Sequence, residues 1–254
     1  MTIHDFSFAD HARDFDRHIE TSIPGLKDFR ADCVLFSRQF IQSETAVVDI
    51  GCSTGSLLRA IRNANEPSRP SVSYVGIDVE PEFRGCWRRS RGRNIRFEVC
   101  DARSFKFENL SLACSLFTLQ FLQERDRLPL LRRVYGGLNQ GGALIIAEKV
   151  LANSAKSQEI LRSGYYRLKR RSFSAEQILD KEQGLWGQMP LWTEAQLVHA
   201  LCEAGFWPEE LQPIWRRTLF IGVLATKTMR PRTPIIAPVT LRGLEISRSV
   251  SHQP

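Results

Sequence analysis

The stretch Val47-Val48-Asp49-Ile50-Gly51-Cys52-Ser53-Thr54-Gly55-Ser56 decides how this chain folds. Its opening residues form a short apolar run of the kind that makes a buried parallel strand, and the chain then passes through two glycines into a helix read over 53–63. Gly51 and Gly55, with the small Ser53 between them, let backbone amides come close to a ligand at a helix start, where the partial positive charge attracts an anionic group.

Outward from this turn, apolar runs alternate with helical stretches. Strands are predicted at 45–51 (TAVVDIG), 72–78 (VSYVGID), 95–99 (IRFEV), 111–119 (SLACSLFTL) and 142–150 (GALIIAEKV). Helices are predicted over 53–63, 81–91 and 124–138, with Gly141 and Gly142 marking the turn into the fifth strand. Upstream, Phe29, Cys33, Phe36 and Phe40 share one helical stripe. Downstream, residues 193–204 read as a helix stopped by Gly205, and 218–227 (TLFIGVLATK) as a late strand pairing antiparallel. The alternation predicts an α/β fold with a mostly parallel sheet and helices on both faces. It divides the chain into an N-terminal helical segment (1–43), a main domain (44–227) and a mobile tail (228–254).

The acids that follow the glycine turn specify the ligand. Asp78 ends the second strand 27 residues after Gly51, where a carboxylate accepts hydrogen bonds from both ribose hydroxyls. Asp101 follows the third strand and suits an exocyclic adenine amine, with a neighbouring backbone amide facing the ring. Asp49 beside the turn suits a cationic amino group, and the amides of Gly51 to Ser53 suit a carboxylate. Dinucleotide sites do not usually require the third acid, and the full G-x-G-x-x-G spacing is missing. One adenosine with an amino-acid arm fits better, which is S-adenosylmethionine or S-adenosylhomocysteine.

At this point the chain resembles the class I methyltransferases, and more closely the carboxy-S-adenosylmethionine synthases of tRNA wobble-uridine modification. The resemblance rests on TSIPGLKDF (21–29), VVDIGCSTGS, VGIDVEP (75–81), FTLQFL (117–122), YGGLNQGGALIIAEK (135–149), EAGF (203–206) and LATK (224–227). It implies the Rossmann-like seven-stranded class I methyltransferase fold and a homodimer. It also implies cofactor contacts at Asp49, Gly51, Cys52, Ser53, Gly55, Asp78, Val79, Asp101, Ala102 and Leu116. That family makes a carboxylated sulfonium from S-adenosylmethionine and prephenate, with an arginine on the new carboxylate. The arginine position falls at Glu182 here, and a Tyr and an Asn of the family's cofactor pocket fall at Leu26 and Leu116. An acid repels a carboxylate, so the expected reaction is methyl transfer to a small molecule or RNA; the alternative is synthesis of the carboxylated cofactor from prephenate, with that cofactor as the alternative ligand. A catalytically silent binding protein is the reading from another class.

No catalytic residue is assigned. His4, His11 and His18 precede the predicted fold, His199 lies on the late helix and His252 in the tail, so general-base catalysis by histidine is not indicated. Six cysteines without a C-x-x-C pair argue against metal and disulfide frameworks. Two basic runs, one from Arg84 to Arg96 and one formed by Arg167, Lys169, Arg170 and Arg171, read first as solvated faces. Lys181 and the second run are alternative carriers of the missing cation. Trp186 and Trp192 read as core packing under a lid. The formal net charge is +7, of which residues 227–254 carry +4 from five cations (Lys227, Arg230, Arg232, Arg242, Arg248) and one acid (Glu245). A polar, acidic N-terminus and the lack of a membrane-length apolar run predict a cytoplasmic protein.

Overall fold

The computed structural model describes residues 14–88 and 94–228, so the expectation of a mobile tail falls almost wholly outside them, as do His4, His11, His252 and the middle of the first basic run. Two helices lead in: α1 (Phe15–Ser22) and α2 (Leu26–Phe40). The sheet is then built from β1 (Ala46–Ile50), β2 (Ser73–Asp78), β3 (Ile95–Val99), β4 (Leu110–Leu116), β5 (Leu138–Lys149), β6 (Leu211–Arg217) and β7 (Phe220–Thr226). Its order is β3-β2-β1-β4-β5-β7-β6. Strands β1 to β5 pair in parallel, and β7 runs antiparallel to both β5 and β6.

The strand order reverses between β1 and β4, which leaves a crevice at the carboxyl ends of these strands. β1, β2, β4 and β5 are legible because they carry apolar runs, as strands covered on both faces do, whereas the edge strand β3 alternates Ile95, Phe97 and Val99 with Arg96 and Glu98. β6 carries no strand signal in the sequence. It is an edge strand containing Pro213, and the register shifts between Pro213 and Trp215, which is where a sheet tolerates a residue without an N–H.

Helices cover both faces: α3 (Ser56–Asn65), the single turn α4 (Arg84–Trp87), α5 (Glu124–Gly137), α6 (Ala155–Lys169), α7 (Ala175–Gly184) and α8 (Glu194–Ala204). The helix expected over 81–91 is split, a 3-10 turn at Pro81–Phe83 followed by α4, and its last positions lie outside the described residues. Gly141 and Gly142 lie inside β5 rather than before it. Pairing with β4 jumps from Leu110↔Leu138 to Leu112↔Ala143, and Gly141, at φ 76°, takes up the extra residues. α8 opens on a capping box: the Thr193 hydroxyl accepts from the Gln196 N–H, and the Gln196 side chain accepts from the Thr193 N–H. Helices α6 and α7 have no counterpart among the predicted elements, and they supply one wall of the site.

Candidate active site

The glycine turn is locked from two sides. Backbone N–H groups of Gly51 and Cys52 donate to the Ile77 carbonyl (2.8 and 3.0 Å), tying the turn to β2. Gly51 has φ 71°, and a Cβ there would lie 2.1 Å from Thr118 Oγ1, so glycine is required on both counts. Ser53, at φ 48°, donates its N–H to Asp78 Oδ2 (2.7 Å), and the Glu80 N–H donates to Asp78 Oδ1 (3.0 Å). The buried Asp78 carboxylate therefore holds the turn while each oxygen keeps a further lone pair for a ligand. Burial raises its pKa, and the backbone donors of Glu80, Ser53 and Val79 oppose that rise.

A cavity of about 540 Å³ opens above this turn, within the range of small-ligand sites. Of the expected contact residues, Gly51, Ser53, Asp78, Val79, Asp101, Ala102 and Leu116 line it; Asp49, Cys52 and Gly55 are not among its walls. The carboxyl group of Asp49 is buried below the turn, and burial pushes it up to about 7, with Arg30 opposing and Asp78 adding. Cys52 packs its Sγ toward Gly76, and Gly55 lies against the Phe97 ring. Leu26 is fully buried in the packing of α2 and does not reach the cavity.

Asp101 is already engaged. Arg103 donates to it from its backbone N–H, from Nε to both oxygens, and from Nη2 (2.7–3.1 Å), and these bonds hold the carboxyl below its ordinary range. Arg103 also lines the cavity and reaches Asp126 (2.9 Å). A ligand amine must loosen this pair to reach Asp101.

The floor of the cavity is fixed by two buried side chains, Glu148 and Arg127, that hold the segment after β4. After β4, the Leu119 and Gln120 N–H groups donate to the two oxygens of Glu148 (2.9 and 3.0 Å). Burial pushes this carboxyl up to about 8, against the pull of those donors and of Arg127. Arg127, buried on α5, donates to the carbonyls of Leu122 and Gln120 (both 3.0 Å) and of Pro190, and its guanidinium lies over the Trp192 ring. Trp192 thus packs as expected, whereas Trp186 is 88% exposed and is not core packing.

The other end of the cavity is cationic. Lys149 of β5, Lys169 of α6 and Lys181 of α7 all line it, together with Glu182. Lys169 belongs to the run read as a solvated face, but its side chain is buried; Arg167, Arg170 and Arg171 stay exposed. The ammonium groups of Lys149 and Lys169 each lie 5.2 Å from the centre of the Tyr165 ring. Glu182 does reach the cavity, where it accepts a hydrogen bond from the Tyr166 hydroxyl, yet three lysines outnumber it. The repulsion of a carboxylate expected from Glu182 alone is therefore reversed by its surroundings.

Helix α1 closes this end. Phe15, His18, Ile19 and Ser22 line the cavity, so His18, read as preceding the fold, belongs to the site. Lys181 Nζ lies 2.8 Å from His18 Nε2 and donates to Ser22 Oγ (3.2 Å). α1 is latched to the start of α3 by Asp16, which accepts from Thr54 Oγ1 (2.8 Å), Ser56 Oγ (3.0 Å) and Arg30 Nη1 (3.1 Å). Because Asp16 remains 38% exposed, Asp16→Ala is expected to cost only about 1–2 kcal/mol in urea unfolding, while making α1 cleavable by limited proteolysis under conditions that spare the parent protein.

Comparison with known proteins agrees with this geometry. Residues 47–142 match a family model described as a methyltransferase domain. The carboxy-S-adenosyl-L-methionine synthase of Staphylococcus epidermidis is 32% identical over 218 residues, covering 85% of this chain and 93% of that protein. The synthase of the same name from Klebsiella pneumoniae is 30% identical over 203 residues, 78% of this chain and 81% of that protein. An O-methyltransferase family protein from Burkholderia thailandensis superposes with a TM-score of 0.57 at 15% identity, over 86% of this chain and 60% of that one. Among the described residues no helix is long and apolar enough to cross a membrane.

Proposed function

We propose, because this chain belongs to the carboxy-S-adenosyl-L-methionine synthase family, that it is an S-adenosylmethionine-dependent transferase whose second substrate is a small anionic molecule. The observation that carries this reading is one cavity with two chemically distinct ends. Gly51, Ser53, Asp78 and Ala102 line the end suited to the adenosine and amino-acid arm, and Lys149, Lys169 and Lys181 line the end suited to an anion. When bound, the sulfonium supplies an already activated carbon. The protein's share is then to hold the partners in line and exclude water.

Within this frame the principal reading is methyl transfer. Ribose hydroxyls donating to the remaining lone pairs of Asp78 make that residue the main polar anchor. Asp78→Ala is expected to weaken S-adenosylhomocysteine binding by about 1–3 kcal/mol in calorimetry, provided circular dichroism shows the fold retained. Unchanged affinity removes Asp78 from the site.

The second reading is synthesis of the carboxylated sulfonium from S-adenosylmethionine and prephenate, with a role in tRNA wobble-uridine modification in the cytoplasm. It is favoured by the three lysines, which supply positive charge where the family's arginine is replaced by Glu182. Mass spectrometry after incubation with S-adenosylmethionine and prephenate separates the two readings: a carboxylated product selects the second.

A further inference from the structure

The junction of α1 and α7 brings together two groups that the cofactor reading leaves unused. Lys181 and His18 both line the cavity, with Nζ and Nε2 2.8 Å apart, and Ser22 Oγ holds Lys181 from the other side. We propose that Lys181, positioned by His18 and Ser22, is the proton acceptor for methyl transfer, and that the molecule it serves is an aromatic ring carrying both a hydroxyl and a carboxylate. This rests on the methyltransferase reading above and goes beyond it by naming a base and an acceptor class.

The acceptor class follows from what surrounds Lys181. Lys149 of β5 and Lys169 of α6 face the same space with Glu182 of α7 as the opposing carboxylate, so the subsite is net positive and suits an anion. The Lys169 ammonium lies between the rings of Tyr165 and Phe173 (5.2 and 5.7 Å), buried and facing the cavity. The same cavity is lined by Leu116, Phe117, Phe121, Leu185, Met189 and Phe220, which suit a flat apolar ring.

Proton balance favours a phenol over an alcohol. Burial lowers the Lys181 ammonium from 10.5 to about 8, and the charges of Lys169 and Lys149 push in the same direction. A neutral amine is thus present in quantity near pH 8, and its basicity matches a phenolic proton. In the step, the acceptor O–H bond breaks and its proton passes to the Lys181 Nζ lone pair. The oxygen attacks the methyl carbon, and the C–S electron pair returns to sulfur, leaving a neutral thioether. The Lys181 ammonium donates to His18 Nε2 and loses the proton to solvent before the next turnover.

The test uses the full chain with saturating S-adenosylhomocysteine and the chromogenic probe 3-hydroxy-4-nitrobenzoate, whose phenolate absorbs in the visible. Bound probe is expected to ionise at least one pH unit below the free probe, and Lys181→Met is expected to abolish that shift with S-adenosylhomocysteine affinity unchanged. Lys181→Arg keeps the positive charge and hence the shift, but cannot accept a proton. With S-adenosylmethionine and a panel of hydroxybenzoates, the parent rate should rise with pH through about 8 and then level, whereas Lys181→Met, which lacks both the charge and the base, should lose about 10²–10⁴-fold. Absence of the shift, or transfer by Lys181→Met at the parent rate, overturns the inference, as does failure to methylate any hydroxybenzoate. Failure to bind S-adenosylhomocysteine at all overturns the cofactor reading instead.

Discussion

Gly51→Ala is expected to eliminate measurable S-adenosylhomocysteine binding and to lower the melting temperature by roughly 4–24 °C. Two independent penalties act at this position. A side chain at φ 71° occupies the left-handed region, which costs about 1–3 kcal/mol for a residue other than glycine. Its Cβ would also lie 2.1 Å from Thr118 Oγ1, 2.7 Å from Cγ2 and 3.0 Å from Cβ, an overpacking worth about 1–3 kcal/mol more. At roughly 2–4 °C per kcal/mol for a chain of this size, the two give the stated range. Thr118 cannot retreat easily, because its hydroxyl donates to the Ile50 carbonyl at 2.9 Å. Gly51 and Thr118 both line the cavity, so any accommodation moves its wall. The double variant Gly51→Ala/Thr118→Gly separates the penalties: it removes the steric one and retains the backbone one. Calorimetry and thermal melts on the four proteins of the cycle check this, and a Gly51→Ala protein that binds as tightly as the parent would falsify the role given to the turn.

How legible the site is depends on whether a residue's role is local. Gly51, Ser53 and Asp78 can be read from the sequence because a strand, a turn and a strand end fix their places within a few residues. Parallel strands buried on both faces likewise announce themselves as apolar runs. Asp101 follows β3 as its spacing predicts, but its pairing with Arg103 depends on side-chain geometry that sequence spacing does not convey. β6 is hidden because Pro213 and its bulge break the strand pattern, and α6 and α7 because Lys169, Lys181 and Glu182 turn inward where the amphipathic rule puts charge outward.

The sign of the anion end is hidden for a related reason. Glu182 taken alone repels a carboxylate, while the potential it sits in comes from β5, α6 and α7 together, through Lys149, Lys169 and Lys181 on three separate elements. His18 looks remote because α1 precedes the glycine turn in sequence. The Asp16 contacts to Thr54 and Ser56, 38 and 40 residues away, are what return that helix to the site. A short polar helix gives no sequence signal for a latch of that kind.

Arg127→Met should prove the most destabilising of the conservative-volume changes, at about 3–5 kcal/mol, because hydrogen bonds from a charged donor are worth about 1.5–3 kcal/mol each. The guanidinium belongs to a residue only 1% exposed and donates to three carbonyls, Gln120, Leu122 and Pro190, so methionine fills space while leaving these acceptors without it. It also removes the cation that opposes the raised pKa of Glu148. The pH dependence then has a definite sign. Glu148 has a folded pKa raised from 4.5 to about 8, so its contribution to stability is fully present below 4.5 and is lost as pH rises toward 8. Without Arg127 the ionised carboxylate is harder still to accommodate, and the cost of the substitution should be larger near the folded pKa of about 8 than midway between it and 4.5. Urea unfolding of both proteins at these two pH values measures the difference. An equal cost at both would mean that Arg127 acts through its carbonyl contacts alone and that Glu148 does not sense it. Since both side chains hold the segment 119–122, and Gln120, Phe121 and Leu122 line the cavity, a variant that still folds is expected to lose ligand affinity even though neither Arg127 nor Glu148 touches the cavity itself.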